Sequence, residues 1–127
     1  MSELNAKHNR TVWVDIPVAD LDRAAKFYNA VLALPIHKVA ANGVNFCVLD
    51  HGEGNGGCLI ASKDAVTSKG ILVYMNVNGR IRDAVAKAVA NGGKVLEDTV
   101  AIGPHGFRAV VLDSEGNRIA LHSEKDL

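Results

Sequence analysis

Thr11-Val12-Trp13-Val14-Asp15-Ile16-Pro17-Val18-Ala19-Asp20-Leu21-Asp22-Arg23-Ala24-Ala25-Lys26-Phe27-Tyr28-Asn29-Ala30-Val31 changes its period once, and that change decides the fold. Up to Val18 the residues alternate. Val12, Val14, Ile16 and Val18 share one face and Thr11, Trp13, Asp15 and Pro17 the other, which is the repeat of a strand. Asp20 then stands where a helix N-cap belongs, and Ala24, Phe27, Tyr28 and Val31 follow at the spacing of a buried helical stripe. Pro35 is expected to close the helix. Short strands are predicted at Ile36–Val39, Val44–Leu49 and Cys58–Ser62, separated by Asn42-Gly43 and by the glycine-rich stretch His51–Gly57.

The same order begins again at Ile71. Ile71, Val73, Met75 and Val77 alternate with Leu72, Tyr74 and Asn76, and a stripe of Ile81, Ala84, Val85, Ala88 and Val89 runs to a stop at Gly92-Gly93. Strands are predicted at Lys94–Ala101, Phe107–Leu112 and Arg118–His122. Residue identities repeat with the order: Val48-Leu49-Asp50 matches Val111-Leu112-Asp113, and Gly54-Asn55 matches Gly116-Asn117. A period near 60 residues is too long for a solenoid repeat. The chain therefore reads as an α+β protein of two βαβββ modules in tandem, the first over about 10–63 and the second over about 70–124, in one domain spanning 1–127. Curved mixed sheets would enclose a cleft, with the helices on the outer faces. The oily strand faces would be buried against the helices, at about 1.5–3 kcal/mol per buried aliphatic side chain. The mixed faces, with Trp13 and Asp15 on one and Tyr74 and Asn76 on the other, would line the cleft.

Composition narrows the function classes. With 48% hydrophobic and 22% charged residues the chain has the make-up of a folded globular protein. Fourteen basic residues against fourteen acidic ones leave no net field to draw it onto a phosphate backbone or an anionic membrane. Nucleic acid and membrane are therefore not expected as partners. Two cysteines, Cys47 and Cys58, are too few for a disulfide framework, and Met1–Arg10 is polar without a leader-like apolar stretch, so a cytoplasmic location is expected.

Ile16 to Tyr28 and the later Leu112-Asp113-Ser114-Glu115-Gly116-Asn117-Arg118-Ile119-Ala120-Leu121 resemble the first-helix and closing-hairpin motifs of the vicinal oxygen chelate superfamily, which holds glyoxalase I, extradiol dioxygenases and the fosfomycin- and bleomycin-resistance proteins. The opening Val12-Trp13-Val14-Asp15-Ile16-Pro17 is most similar to its glyoxalase-like branch. The resemblance implies paired modules, a homodimer, and in metal-dependent members a divalent ion held by His or Glu from the first and last strand of each module. The matching positions here are Trp13, Leu72, Ala120, and Cys58 or Leu59. Three apolar side chains and at most one thiol do not make a family-type metal site, so no metal and no cofactor are expected.

Alternation sets Asp15 two residues after Trp13 and His122 two after Ala120, pointing the way the lost ligands would. They read either as an acid/base pair, or with Cys58 as a displaced metal set, or as plain structure: Asp15 capping a turn or pairing with Arg118, His122 at the chain end. Trp13 and Tyr74 offer rings for stacking against a ligand, or else for packing between modules, and Asn76 offers a hydrogen bond. The glycines around His51 and Glu53 lack a following Lys-Ser or Lys-Thr and read as a hairpin loop in preference to a phosphate loop. His105 precedes a strand and reads as exposed or as a gate at the cleft mouth. Cys47 reads as a small core residue. The favoured function is metal-free binding of a small organic ligand by Trp13, Asp15, Tyr74, Asn76 and His122. The alternative is a lyase, isomerase or dioxygenase-like enzyme working through Asp15 and His122.

Overall fold

The computed structural model describes residues 8–9, 11–41 and 43–127. Most of the polar Met1–Arg10 stretch, and Asn42 of the Asn42-Gly43 turn, lie outside the described residues. Two runs of strand, helix and three strands follow one another. The first is β1 (Trp13–Val18), α1 (Leu21–Leu32), β2 (Ile36–Ala41), β3 (Val44–Leu49) and β4 (Gly56–Ala61). The second is β5 (Val73–Asn76), α2 (Ile81–Ala90), β6 (Lys94–Ala101), β7 (Phe107–Leu112) and β8 (Arg118–Ser123). Each run makes one four-stranded sheet, ordered β1-β4-β3-β2 and β5-β8-β7-β6. In each sheet the first strand pairs in parallel with the last and the remaining pairs are antiparallel. The tandem βαβββ architecture expected from the periodicity is the one found.

Local chemistry explains the elements. The Asp20 carboxylate accepts the Arg23 backbone N–H at 3.0 Å and caps α1. Ala24, Phe27, Tyr28 and Val31 are buried as their spacing required. On α2 the stripe is narrower, since Ile81, Ala84 and Ala88 are buried while Val89 is exposed. Both opening strands start later than the alternation suggests. Ile71, expected to be buried with Val73, Met75 and Val77, is 93% exposed. The reason lies in the partner strand: Val73 pairs with Ile119, and Asn117, two residues earlier, is already committed to turn hydrogen bonds. β4 begins at Gly56, two residues before the predicted Cys58. A Cβ at Gly57 would sit 2.5 Å from the Val14 carbonyl oxygen, so only glycine lets β4 run beside β1 there.

The helix-facing sides of both sheets and both helices form one apolar core. The modules are joined beside it by the β7–β8 turn. Asp113, buried, accepts the Tyr28 hydroxyl at 2.7 Å, the backbone N–H groups of Glu115 and Asn117, and the Asn117 side-chain amide at 3.0 Å. Burial and the neighbouring carboxylate push the Tyr28 phenol well above its ordinary pKa, so it stays a donor. Glu115 reaches back to the start of α1. It accepts the Ala19 and Asp20 backbone N–H groups at 3.0 and 2.8 Å and both faces of the Arg23 fork at 2.7 and 2.8 Å. Asn117 gives its amide to the Pro17 carbonyl at 2.7 Å and takes the Thr67 N–H at 3.1 Å. The closing-hairpin motif is thus the clasp between modules.

Candidate functional site

A crevice of about 940 Å³ lies between the modules where the other hairpin, the β3–β4 turn, meets β5. Its walls come from four places: the start of β1 (Trp13, Val14), the end of α1 and its exit (Leu32, Leu34), the turn from Leu49 to Gly57, and β5 with the residues before it, Ile71 to Asn76. Most of these side chains are apolar because both module cores end here. The polar ones are few: Asp50, His51, Asn55, Asn76 and the Tyr74 hydroxyl, with Thr11 at the margin.

Trp13 is held on two sides. Its indole N–H donates to Asp15 Oδ1 at 3.1 Å, and the His51 ring meets it edge to face, with centroids 5.8 Å apart at 89°. His51 is anchored in turn by an Nδ1 hydrogen bond to the Gly54 carbonyl at 3.0 Å, and a Cβ at Gly56 would collide with its ring. The glycine-rich stretch therefore serves as the hairpin turn that seats His51 beside Trp13, with Gly52 at φ +54°. Across the crevice Tyr74 is 48% exposed, and its hydroxyl accepts from Arg108 at 2.6 Å, while Arg108 also donates to Glu97 at 2.9 Å. The Asn76 side-chain Oδ1 accepts the Asn78 backbone N–H at 2.9 Å.

Of the residues singled out in the sequence, the crevice brings together Trp13, Tyr74 and Asn76. Asp15 and His122 do not line it, and they do not form the hydrogen-bonded pair considered above. Asp15 faces the open side of the first sheet, where Cys58 also donates to it at 3.2 Å. His122 lies on the second sheet, and its Nε2 donates to the His105 carbonyl at 2.7 Å, tying the segment before β7 to β8. Each is held within its own sheet: Asp15 by Trp13 and Cys58 on the first, His122 by the His105 carbonyl on the second. Nor does Asp15 meet Arg118, which donates to the Gly70 carbonyl at 3.1 Å. Among the described residues no three His, Cys, Asp or Glu side chains are gathered, so Asp15, Cys58 and His122 do not assemble as a set.

Strand register resolves the last of the family-type ligand positions. Cys58 pairs with Asp15 and shares its face, whereas Leu59 is buried in the core. Burial, helped by the hydrogen bond to Asp15, pushes the Cys58 thiol up to about 11. The four positions thus hold Trp13, whose indole nitrogen has no lone pair to give, Leu72, Ala120 and a protonated thiol. Cys47 is buried in the core.

Two residues that line the crevice had no role assigned from sequence. Asp50 is half exposed, and one oxygen accepts His37 Nε2 at 3.0 Å. Asn55 gives its amide to the Thr11 carbonyl, while its own carbonyl oxygen is buried without a partner among the described residues. The signal was present in the internal repeat, because Asp50 and Asn55 match Asp113 and Asn117.

A family model described as bleomycin resistance protein-like N-terminal matches residues 10–48. A glyoxylase-like domain-containing protein of Didymella fabae is 26% identical over 121 residues, which make up 90% of this chain and 93% of that protein. Among solved structures, a glyoxalase/bleomycin resistance protein from Albidiferax ferrireducens superposes with a TM-score of 0.70 at 20% identity, over 91% of this chain and 98% of that one. A fosfomycin resistance protein from Listeria monocytogenes superposes with a TM-score of 0.68 at 9% identity, over 91% and 93% of the two chains. At these identities the likeness to the solved structures is one of fold.

Proposed function

We propose that this chain, by fold and relatives a protein of the vicinal oxygen chelate superfamily on its glyoxalase/bleomycin-resistance side, is a binding protein that holds a small organic molecule in the inter-module crevice without a metal ion. The crevice carries this reading. At about 940 Å³ it falls within the roughly 300–1,000 Å³ of small-molecule sites, and its apolar walls with a few polar groups match their usual make-up. Trp13 and Tyr74 supply flat faces and Asn76 an amide. Asp15 acts through Trp13, as a positioning residue that fixes the indole by its N–H. His122 steadies the second sheet from outside the crevice.

The residues at the family-type ligand positions do not fit a divalent ion, since three carry no donor lone pair and a single thiol does not make a site. Sequestration is the mode we carry over from the resemblance to bleomycin-resistance proteins, whose name the matched family model bears. A homodimer is part of the proposal. Each sheet leaves the face opposite its helix uncovered, and half-buried Phe46, Ile60 and Leu112 on those faces are surface that a second copy would cover. A cytoplasmic location is supported by two free, buried cysteines. No helix among the described residues is long and apolar enough to cross a membrane.

Trp13 is the chain's one tryptophan, so its indole N–H gives a single nuclear magnetic resonance signal inside the crevice. Titration with the neutral apolar dye Nile red is expected to give saturable binding that moves this signal. A chelator should leave it unchanged, and Tyr74→Ala should weaken it about tenfold. Absence of saturable binding, or its loss with chelator, would overturn the reading.

A further inference from the structure

The internal repeat provides a control for the crevice. In the second module's turn both acceptor side chains have donors: Asp113 four, one of them the Tyr28 hydroxyl from the opposite module, and Asn117 Oδ1 the Thr67 N–H. In the first module's turn the matching acceptors have lost those partners. The position on α2 that corresponds to Tyr28 on α1 is Ala88, which has no hydroxyl to offer. Among the described residues Asp50 is met by His37 alone, and Asn55 Oδ1, although buried, has no donor. A buried acceptor without a donor costs free energy that a bound donor would restore. Both acceptors line the crevice. Among the described residues Asp50 is the one carboxylate lining it and no lysine or arginine does, and Arg108, behind the Tyr74 hydroxyl, is paired with Glu97, so the charge left facing the space is negative.

We infer that the crevice takes an aromatic ligand carrying an ammonium group, the ring resting between Trp13 and Tyr74 and the N–H donors meeting Asp50 and Asn55. The ligand thereby supplies the donors that Tyr28 and the Thr67 backbone supply at the clasped junction. This inference rests on the crevice being the ligand site, as proposed above, and adds the class of molecule that it selects.

Three naphthalenes of nearly equal size test it on the full chain: 1-naphthylmethylamine, protonated at neutral pH, the neutral 1-naphthylmethanol, and the anionic 1-naphthoate. Affinity is read by calorimetry and location by the Trp13 indole signal. The amine is expected to bind about tenfold more tightly than the alcohol and naphthoate most weakly, as a charge-assisted hydrogen bond requires. Asp50→Asn, a near-isosteric change at a half-exposed site, should lower the affinity of the amine about tenfold and leave that of the alcohol within about twofold. If the alcohol binds as tightly as the amine, or Asp50→Asn leaves the amine unaffected while Trp13 still responds, the ammonium selectivity is wrong and the crevice stands. If none of the three moves the Trp13 signal, the crevice reading fails and this inference with it.

Discussion

At the clasped junction Asp113 is buried under four donors, while in the crevice its counterpart Asp50 is half exposed and meets one histidine. The two turns descend from the same local sequence pattern and join corresponding strands. What separates them is what the facing module contributes. Toward the second module's turn, α1 projects a tyrosine and its own capped N-terminus. The matching place on α2 holds an alanine, and the residue before α2 is Arg80, whose guanidinium donates to the Val31 carbonyl at 2.5 Å. One copy of the repeat therefore became a structural joint and the other kept an open space with spare acceptors. Here the open space lies where one of two equivalent contacts between the modules is missing.

The comparison can be broken most severely at Asp113. Replacing it with alanine strands several buried donors at once, so Asp113→Ala is expected to lose about 3–5 kcal/mol in urea unfolding. A loss under 1 kcal/mol would mean that the clasp does not hold the modules. Tyr28→Phe removes the one hydroxyl that crosses to Asp113 and should cost about 2 kcal/mol by the same measurement.

Acid sensitivity gives a third handle. Hydrogen bonds from Arg23, with further help from the Asp20 N–H and Ser114, hold the Glu115 carboxyl at about 2 against an ordinary 4.5. Because the folded value is the lower one, ionised Glu115 stabilises the fold fully above pH 4.5, and the contribution fades as pH falls through about 2. Glu115→Gln should flatten that part of the melting-temperature profile, whereas an unchanged profile would assign the acid response to other carboxyls. The smallest effect is expected at Asp50, where alanine should change stability by no more than about 0.5 kcal/mol. A large loss there would make Asp50 a structural residue like its counterpart and remove it as a ligand anchor.

Much of the fold was legible because burial and periodicity are local. The stripe on α1, the Asp20 cap and the strands β3, β6 and β7 stand where the pattern set them. Strand starts were less legible. Ile71 continues the alternation of β5 but is left outside it, because pairing ends where the partner strand turns, and that is a property of the other strand. The site was only half legible. Trp13, Tyr74 and Asn76 share the crevice, yet Asp15 and His122, equally well placed by alternation, do not line it: Asp15 sits behind Trp13, and His122 is tied to the His105 carbonyl.

The sequence by itself determined the two βαβββ runs, the faces their strands turn to the helices, and the identities Trp13, Leu72 and Ala120 at three positions where the resemblance implies ligands in metal-dependent proteins. Those properties depend on residues close in the chain or on chemical identity alone. Only the tertiary structure decided that the hairpin motif of Asp113, Glu115 and Asn117 is a clasp, that Leu59 belongs to the core and Cys58 to the open face, and that Asp50 and Asn55 border a cavity. Each of these depends on which side chain from a distant segment arrives to satisfy a polar group, and no local pattern carries that information.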